Sequence, residues 1–282
     1  MAAHTQCAAD GWSFRMLPEA TTLSVSQDGP FLYITLNRPE CRNAMSLTMV
    51  NELIATFEAV ANDPECRAIV LRGAGGHFCA GGDIKDMAGA RAKLAAGDDA
   101  AFATFNRRFG EMITLANRQP QVLVTVLEGA VLGGGFGLAC VSDVAIAHQD
   151  ARFGLPETGL GVIPAQIAPF VVERVGLTQA RRLSLTGARF NGTEALRLGV
   201  VHLTAESEDR LEQTLNDTLA DIRKCAPNAN RLTKALILGV GQQPMEQLLD
   251  QAAQQFSAAV TSDEGQEGTM AFMQKRPAKW HQ

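Results

Sequence analysis

The stretch that decides the fold is residues 128–140, EGAVLGGGFGLAC, in which an apolar run passes through three glycines into a second apolar run. It directly follows another apolar run, VLVTVL, at residues 122–127. Glycine has no Cβ, so the chain can turn sharply there and leave backbone N–H groups accessible where a helix starts. The stretch therefore predicts a buried strand that runs through a glycine turn into a helix.

A second glycine-rich loop lies earlier, at residues 73–87, GAGGHFCAGGDIKDM. It follows a short apolar strand at 68–71 and is expected to enter a helix near Gly82 and Asp83. Two such turns can direct their N–H groups into one space and form an anion site or an oxyanion hole. The alternative is that the glycines serve only tight turns and close helix packing.

Outward from these loops, the pattern alternates between strand and helix. Residues 23–36 predict a β-hairpin that turns at 28–30, and apolar residues recur at helical spacing over 49–60 and 102–116. After residue 161 the β content is expected to fade, and helices are predicted at 164–175, 178–186, 208–225, 228–238, 244–260 and 267–275. We therefore expect an N-terminal extension (1–20), an α/β core (21–205) and a helical C-terminal region (206–282).

Composition excludes several classes of function. The 282 residues are 46% apolar with a net charge of −5, which argues against a nucleic-acid-binding protein. No uncharged apolar run approaches the roughly 20 residues of a membrane helix, and no leader peptide is visible, so a cytoplasmic protein is expected. The six cysteines form no C-x-x-C pair and the glycines do not follow G-x-G-x-x-G spacing, so neither a metal nor a nucleotide cofactor is predicted.

One carboxylate stands out. Glu157 ends the segment FGLPE (153–157) among apolar and glycine residues. It is either a surface turn residue or a desolvated acid/base, because burial raises the pKa of a carboxyl group toward the range that proton transfer needs.

These segments resemble the enoyl-CoA hydratase/isomerase (crotonase) superfamily, over about residues 23–280. The matching motifs are LNRPE (36–40) with Asn43 and Ala44, FCAGGDIK (78–85), GAVLGGG (129–135), Asp143, FGLPE (153–157), Leu160 and Gly161 with Pro164, Glu267 and Gly268, and Lys275 and Arg276. The resemblance implies an α/β spiral of strand-strand-helix repeats, a C-terminal helical trimerisation region and a homotrimer or a hexamer made of two trimers.

The resemblance also implies the ligand and its contacts. A coenzyme A thioester would place its carbonyl oxygen between the N–H groups of Gly82 and Gly134, where one such donor is worth roughly 3 to 4 kcal/mol. The backbone of Ala80 would contact the adenine, and Lys275 would meet a coenzyme A phosphate. The residues implied to line the thioester are Gly82, Asp83, Ile84 and Lys85. No cofactor beyond the coenzyme A moiety of the substrate is expected.

The predicted activity is the addition of water across the double bond of an enoyl-CoA, with Glu157 as acid/base. Hydratases of this superfamily usually carry two glutamates, and this chain has Gly137 at the first position. A double-bond isomerase, which needs only one base, is therefore the alternative, and a non-catalytic acyl-CoA-binding or RNA-binding relative is the third.

The acyl group is the open question. Gly137 is expected to enlarge the pocket for a branched or carboxylated acyl chain, and the segment 160–170, LGVIPAQIAPF, is similar to that of isohexenylglutaconyl-CoA hydratases. Either Arg152 or a cation between Arg91 and Arg108 is a candidate partner for a substrate carboxylate; the alternative is that these arginines are simply solvated.

Overall fold

The computed structural model describes residues 17–281, and their strands form two sheets. The strands are β1 (Leu23–Asp28), β2 (Phe31–Leu36), β3 (Ala68–Gly73), β4 (Val122–Leu127), β5 (Ala130–Leu132), β6 (Val144–His148), β7 (Arg152–Gly154), β8 (Arg189–Asn191) and β9 (Leu203–Ala205). The larger sheet has the order β1-β2-β3-β4-β6-β9, with the predicted antiparallel hairpin at one edge and parallel pairs beyond it. The smaller sheet has the order β5-β7-β8.

The helices follow the predicted periodicity closely. They are α1 (Leu47–Val60), α2 (Ile84–Ala95), α3 (Ala101–Arg118), α4 (Gly134–Val141), α5 (Ala168–Thr186), α6 (Gly192–Arg197), α7 (Glu208–Lys224), α8 (Pro227–Leu238), α9 (Met245–Thr261) and α10 (Asp263–Met273). Two predicted helices meet within α5 at Gly176, whose φ of 74° interrupts the helical backbone. The apolar spacing therefore located both halves of this kinked helix.

After residue 161 the β content falls, as expected, to two three-residue strands that the sequence did not predict. These strands are β8 and β9, and the short helix α6 lies between them. Each of these strands has three residues, too few for an alternating pattern to be recognised in the sequence. These two strands are extended because they pair with neighbouring strands: β8 with β7, and β9 with β6.

The chain winds as a repeat of strand, strand and helix. Strand β4 of the large sheet leads to β5 of the small sheet and then to α4, and β6 leads in the same way to β7. After β3, the chain joins the small sheet through an isolated bridge between Cys79 and Val131 and then enters α2. This is the crotonase-type spiral that the resemblance implied.

Two apolar clusters hold the layers together. The main core lies between the sheets and α1, α3, α4 and α5, and its fully buried side chains include Phe57, Phe78, Phe136 and Phe153. Helix α7 covers the other face of the large sheet with Leu211, Leu215, Leu219 and Ile222. The apolar face of α7 thus packs on the large sheet.

The N-terminal residues 1–16, most of the predicted extension, lie outside the described part of the chain. Within residues 17–281, no helix combines the length and the apolar character that crossing a bilayer requires.

Candidate active site

The first component of the site is the start of α4. Gly133, which precedes the helix, has φ 50° and ψ −116°, a conformation that residues with a Cβ rarely adopt. Gly134 is the first helical residue, so its N–H has no acceptor within the helix. A Cβ on Gly135 would lie 2.7 Å from the Cβ of Cys79, so α4 packs closely against the other glycine loop. The N–H of Gly134 is therefore free of the helix's own hydrogen bonds at a point where α4 meets the other glycine loop.

The second component is the backbone at Gly82. Met45 N donates to Gly81 O at 2.8 Å, and Asp83 N donates to Met45 O at 3.0 Å. These bonds form a parallel bridge between Met45 and Gly82, which turns the N–H of Gly82 away from Met45. Gly82 is exposed, so its N–H is accessible to a ligand.

The two glycine loops lie side by side. Leu132 N donates to Cys79 O at 2.9 Å, and the Cα of Gly81 lies 3.5 Å from where a Cβ on Gly133 would be. The residues that carry the two free N–H groups, Gly82 and Gly134, directly follow these contact points. The fold therefore brings together two backbone donors that are 52 positions apart in sequence.

Glu157 lies at the same junction. It begins a 3₁₀ turn, Glu157–Leu160, directly after Pro156. Its Oε1 is 2.9 Å from the position of a Cβ on Gly133, whereas its Oε2 is shielded from solvent and has no hydrogen-bond partner within residues 17–281. Burial raises the pKa of the Glu157 carboxyl group above its ordinary value. The structure thus places an incompletely solvated acid against the turn at Gly133, directly before Gly134.

Apolar side chains surround this junction. The ring of Phe109 lies 3.0 Å from the position of a Cβ on Gly134, and the Sδ of Met45 lies 3.8 Å from it. Ile84 is 81% exposed at the start of α2, next to Gly82. Sequence reasoning placed Phe109 on an amphipathic helix but did not assign it or Met45 to the site, because helical spacing alone does not distinguish a pocket wall from a core.

The prediction that Gly137 enlarges the pocket is wrong. A Cβ at this position would lie 2.4 Å from the Cγ2 of Ile167 and 2.9 Å from the Cδ1 of Ile113. Gly137 is buried in α4, and these two isoleucines fill the space above it. The position that carries a first glutamate in two-glutamate hydratases is therefore packed with hydrocarbon.

Asp83 holds the Gly82 loop in place. Its carboxylate accepts from Lys85 N at 2.8 Å and pairs with Arg38 Nη1 at 2.7 Å. Burial favours the neutral acid, but the bonds from Lys85 N and Arg38 outweigh it and lower the pKa of Asp83. Asp83 is therefore the N-cap of α2, and Arg38, which the sequence shows only as part of the LNRPE motif, pairs with its carboxylate.

The remaining residues that the resemblance assigns to coenzyme A binding lie in two separate regions. Ala80 is half-buried next to the site, where its N donates to Arg42 O at 3.0 Å, and Ile84 and Lys85 are exposed in the first turn of α2. Lys275 is exposed in the C-terminal segment, and that segment is anchored by Trp280 O to Arg67, which precedes β3. Because the loop at 73–87 follows the far end of β3, the structure does not bring Lys275 to the other site residues within one chain.

Comparison with known proteins agrees with this architecture. The family model "Enoyl-CoA hydratase/isomerase" matches residues 27–282. The solved structure titled Pseudomonas aeruginosa AtuE is 62% identical to this chain, with a TM-score of 0.90 over 93% of this chain and 100% of that one. A probable enoyl-CoA hydratase, echA8, of Mycobacterium tuberculosis is 32% identical over 90% of this chain and 96% of its own length.

A relative named for a different reaction has a similar sequence identity to this chain. The peroxisomal Delta(3,5)-Delta(2,4)-dienoyl-CoA isomerase of Arabidopsis thaliana is 29% identical over 90% of this chain and 93% of its own length. The strand-strand-helix spiral with its paired glycine loops is the architecture of crotonase-type proteins, and this chain belongs to the enoyl-CoA hydratase/isomerase family.

Proposed function

We propose that this protein adds water across the α,β double bond of an enoyl-CoA thioester. The observation that supports this most directly is the shielded Oε2 of Glu157, which has no hydrogen-bond partner among residues 17–281, on a carboxyl group whose Oε1 lies against the turn at Gly133 that precedes Gly134. A desolvated carboxylate with two backbone donors suits a reaction that moves a proton next to a thioester carbonyl.

In the proposed reaction, the N–H groups of Gly82 and Gly134 bind the thioester oxygen. Glu157 takes a proton from water as the water oxygen bonds to the β-carbon, and negative charge collects on the thioester oxygen as an enolate. The same carboxyl group then returns the proton to the α-carbon, so water is added and no redox group is needed. Gly137 carries no carboxylate, so Glu157 performs both transfers.

The coenzyme A moiety would extend from the thioester past the backbone of Ala80, with Asp83, Ile84 and Lys85 alongside. No further cofactor is needed, because the carboxyl group and the two amides supply all the chemistry of the proposed reaction. The half-buried Ala80 and the exposed first turn of α2 agree with this path. Lys275 would reach a coenzyme A phosphate only from a neighbouring copy of the chain.

We also propose a homotrimer or a hexamer of two trimers, assembled through the C-terminal helices. Helices α9 and α10 expose large apolar side chains that a free monomer would leave in water: Met245, Leu249, Phe256, Val260, Phe272 and Met273. Light scattering of the purified protein distinguishes the masses of one, three and six chains, and a monomer would contradict the proposal.

The second candidate is a double-bond isomerase. It needs one base that removes a proton from the γ-carbon and returns it to the α-carbon, with no added water. The single carboxylate at Glu157 and the similarity to the Arabidopsis dienoyl-CoA isomerase favour this reading. The non-catalytic relative is less well supported, because a surface-binding role leaves the shielding of the Glu157 carboxyl group unexplained.

The deciding experiment uses straight, branched and carboxylated enoyl-CoA esters in water enriched in heavy oxygen. Product that carries the label demonstrates hydration, whereas a shifted double bond without label demonstrates isomerisation. The Glu157→Gln variant is expected to lose turnover by about 100-fold or more while retaining ligand affinity. Undiminished turnover in that variant would remove Glu157 from the mechanism.

A further inference from the structure

Asn43 is a buried polar residue to which the proposed hydration gives no role. It is fully shielded from solvent in the loop that connects β2 to α1. Its Oδ1 accepts from Arg38 N at 2.8 Å. Its Nδ2 donates to Ala74 O at 2.9 Å and to His77 O at 2.6 Å. An asparagine amide has two hydrogens to donate, so both are used by the glycine loop at 73–87.

The backbone at Asn43 has an uncommon conformation. Among residues 17–281, only three residues other than glycine have a positive φ, and two of them are consecutive: Arg42 at 52° and Asn43 at 57°. Such a conformation costs energy, persists only where surrounding contacts enforce it and is concentrated at functional sites. Asn43 N also donates to Arg38 O at 2.9 Å, which closes the turn. The turn therefore holds the amide of Asn43 against the glycine loop.

The bonds of Asn43 fix the start of the segment that carries Gly82. Ala74 and His77 are the two ends of a short turn, and the two glycines between them each have φ 70°. Glycine is the most flexible residue, so the bonds from one asparagine to both ends limit the conformations of this turn. From His77 the chain runs beside β5 and reaches Gly82 five residues later.

The segment 42–45 is also paired with the backbone around Gly82. Ala80 N donates to Arg42 O at 3.0 Å, and the bridge between Met45 and Gly82 continues this pairing. Because the bridge sets the direction of the Gly82 N–H, a rotation of residues 42–45 changes where that N–H points. In the described part of the chain, Asn43 is the one residue of this segment whose side chain bonds to the glycine loop.

Arg38 connects Asn43 to the other side of Gly82. Its backbone N–H donates to Asn43 Oδ1, and its Nη1 donates to Ala44 O at 2.6 Å and lies 2.7 Å from the carboxylate of Asp83. Asp83 directly follows Gly82 and is the N-cap of α2. The contacts of Asn43 and Arg38 therefore hold the chain on both sides of Gly82.

We propose that Asn43 and Arg38 are positioning residues, which hold the N–H of Gly82 in the direction that binds a thioester oxygen. This inference rests on the proposed function, because it takes Gly82 as an oxyanion donor. Such a donor acts on developing charge only over a narrow range of distance and angle, so a small rotation of Gly82 weakens it. The two side chains act through Gly82 and not through contact with the substrate.

The kinetic test uses Asn43→Gly with crotonyl-CoA. This substitution removes the three side-chain bonds, and glycine adopts φ 57° without strain. We expect kcat to fall about 10- to 100-fold and KM to stay within about threefold, because a misdirected donor mainly affects the transition state. Arg42→Gly is the matched control. It relaxes the adjacent left-handed residue, whose side chain has no hydrogen-bond partner among residues 17–281, and should leave kcat unchanged.

Infrared spectroscopy of bound butyryl-CoA reads the donor directly. This thioester is saturated and undergoes no hydration, and a heavy-carbon label identifies its carbonyl stretch. Hydrogen bonds from the two N–H groups should lower the stretching frequency, and Asn43→Gly should lose part of that shift whereas Arg42→Gly retains it. An equal shift in the parent and in Asn43→Gly would overturn the positioning role. Because no turnover is required, this result is independent of whether the heavy-oxygen experiment demonstrates hydration.

Arg38→Met provides a second variant if Asn43→Gly does not fold. It removes the bonds to Ala44 O and Asp83 and should reduce the carbonyl shift in the same direction. Arg38→Lys keeps a charge for Asp83 and should recover part of the shift. Arg231→Met is the control for a general loss of stability, since Arg231 bonds to backbone oxygens that precede β3, at the end away from the site. An equal reduction in Arg38→Met and Arg231→Met would refute the proposal.

Discussion

Glu157 and Gly133 are in direct contact: the Oε1 of the carboxylate lies 2.9 Å from the position that a Cβ on Gly133 would occupy. Glycine at 133 therefore does two things. It allows the backbone to adopt φ 50° and ψ −116° in front of α4, and it leaves room for the acid beside the N–H of Gly134. Gly133 is thus required both for the turn that orients the helix and for the space that the carboxylate occupies.

Gly133→Ala should consequently damage both stability and turnover. The strained backbone is expected to cost about 1–3 kcal/mol of the free energy of unfolding, and displacement of Glu157 should lower kcat on the order of 100-fold. Urea unfolding and steady-state kinetics measure the two effects. Gly89→Ala is the control, because a Cβ there would meet no atom of the described residues 17–281 within 4 Å and Gly89 lies in the middle of α2. A fully active Gly133→Ala protein would contradict the assignment.

Glu157→Gln should stabilise the protein at neutral pH. Burial raises the pKa of Glu157 in the folded chain, so the stability associated with this group is greatest below its unfolded pKa of about 4.3 and is lost as the pH rises through the folded pKa. Glutamine does not ionise. The urea concentration at the midpoint of unfolding should therefore be higher for the variant than for the parent at pH 7 and equal for both near pH 4. Exposed Glu173→Gln is the matched control.

The same shift predicts the pH dependence of catalysis. If the ionised Glu157 accepts a proton from water, kcat/KM should rise with pH through a pKa above that of an ordinary glutamate. A rate profile across pH 4 to 8 measures this limb. A profile without such a limb would mean that Glu157 does not act as the base.

Gly137→Ala tests the packing above α4. Its Cβ would lie 2.4 Å from the Cγ2 of Ile167, so overpacking should lower the free energy of unfolding by about 1–3 kcal/mol. Combining Gly137→Ala with Ile113→Val removes the Cδ1 methyl group that would lie 2.9 Å from the new Cβ and should recover part of that loss in a double-mutant cycle. Unaltered stability of Gly137→Ala would show that the space is open after all.

Arg174 should stabilise the end of α4 that lies opposite Gly134. Its Nη2 donates to Ala139 O at 2.7 Å and Ser142 O at 2.8 Å, and its Nη1 lies 3.0 Å from His202 Nε2. Arg174→Met should lower the free energy of unfolding by about 2–4 kcal/mol.

A spectroscopic readout accompanies this prediction. Burial and, after it, the charge of Arg174 lower the pKa of His202, so Arg174→Met should raise that pKa, as measured by NMR titration of the ring protons. Arg182→Met removes an exposed arginine from the same helix and should leave both the stability and the His202 titration unchanged. A His202 pKa that does not move would exclude the contact.

Long and strongly periodic elements were predictable from the sequence because the cause of each lies within it. The hairpin at 23–36, the helices α1 and α3 and the C-terminal helices follow from apolar spacing and turn residues. The three-residue strands β7, β8 and β9 were not predictable, because their pairing partners rather than their own residues define them.

The residues of the candidate site divide in a similar way. Gly82, Gly134 and Glu157 stand in motifs that the sequence displays, so their selection needed no coordinates. The packing of Phe109 on Gly134 and of Ile167 on Gly137 joins segments that are far apart in the chain. The second contact reversed the expected effect of Gly137.

The amino-acid sequence alone determined the positions of the glycine turns, at which a strand ends and a helix starts with free N–H groups. This is because glycine conformation and apolar spacing are local properties of the chain. Only the tertiary structure decided that Glu157 is desolvated against the turn at Gly133 and that the space around Gly137 is filled by Ile113 and Ile167. Burial and packing depend on atoms from segments that are distant in sequence, and these segments come into contact only in the folded chain.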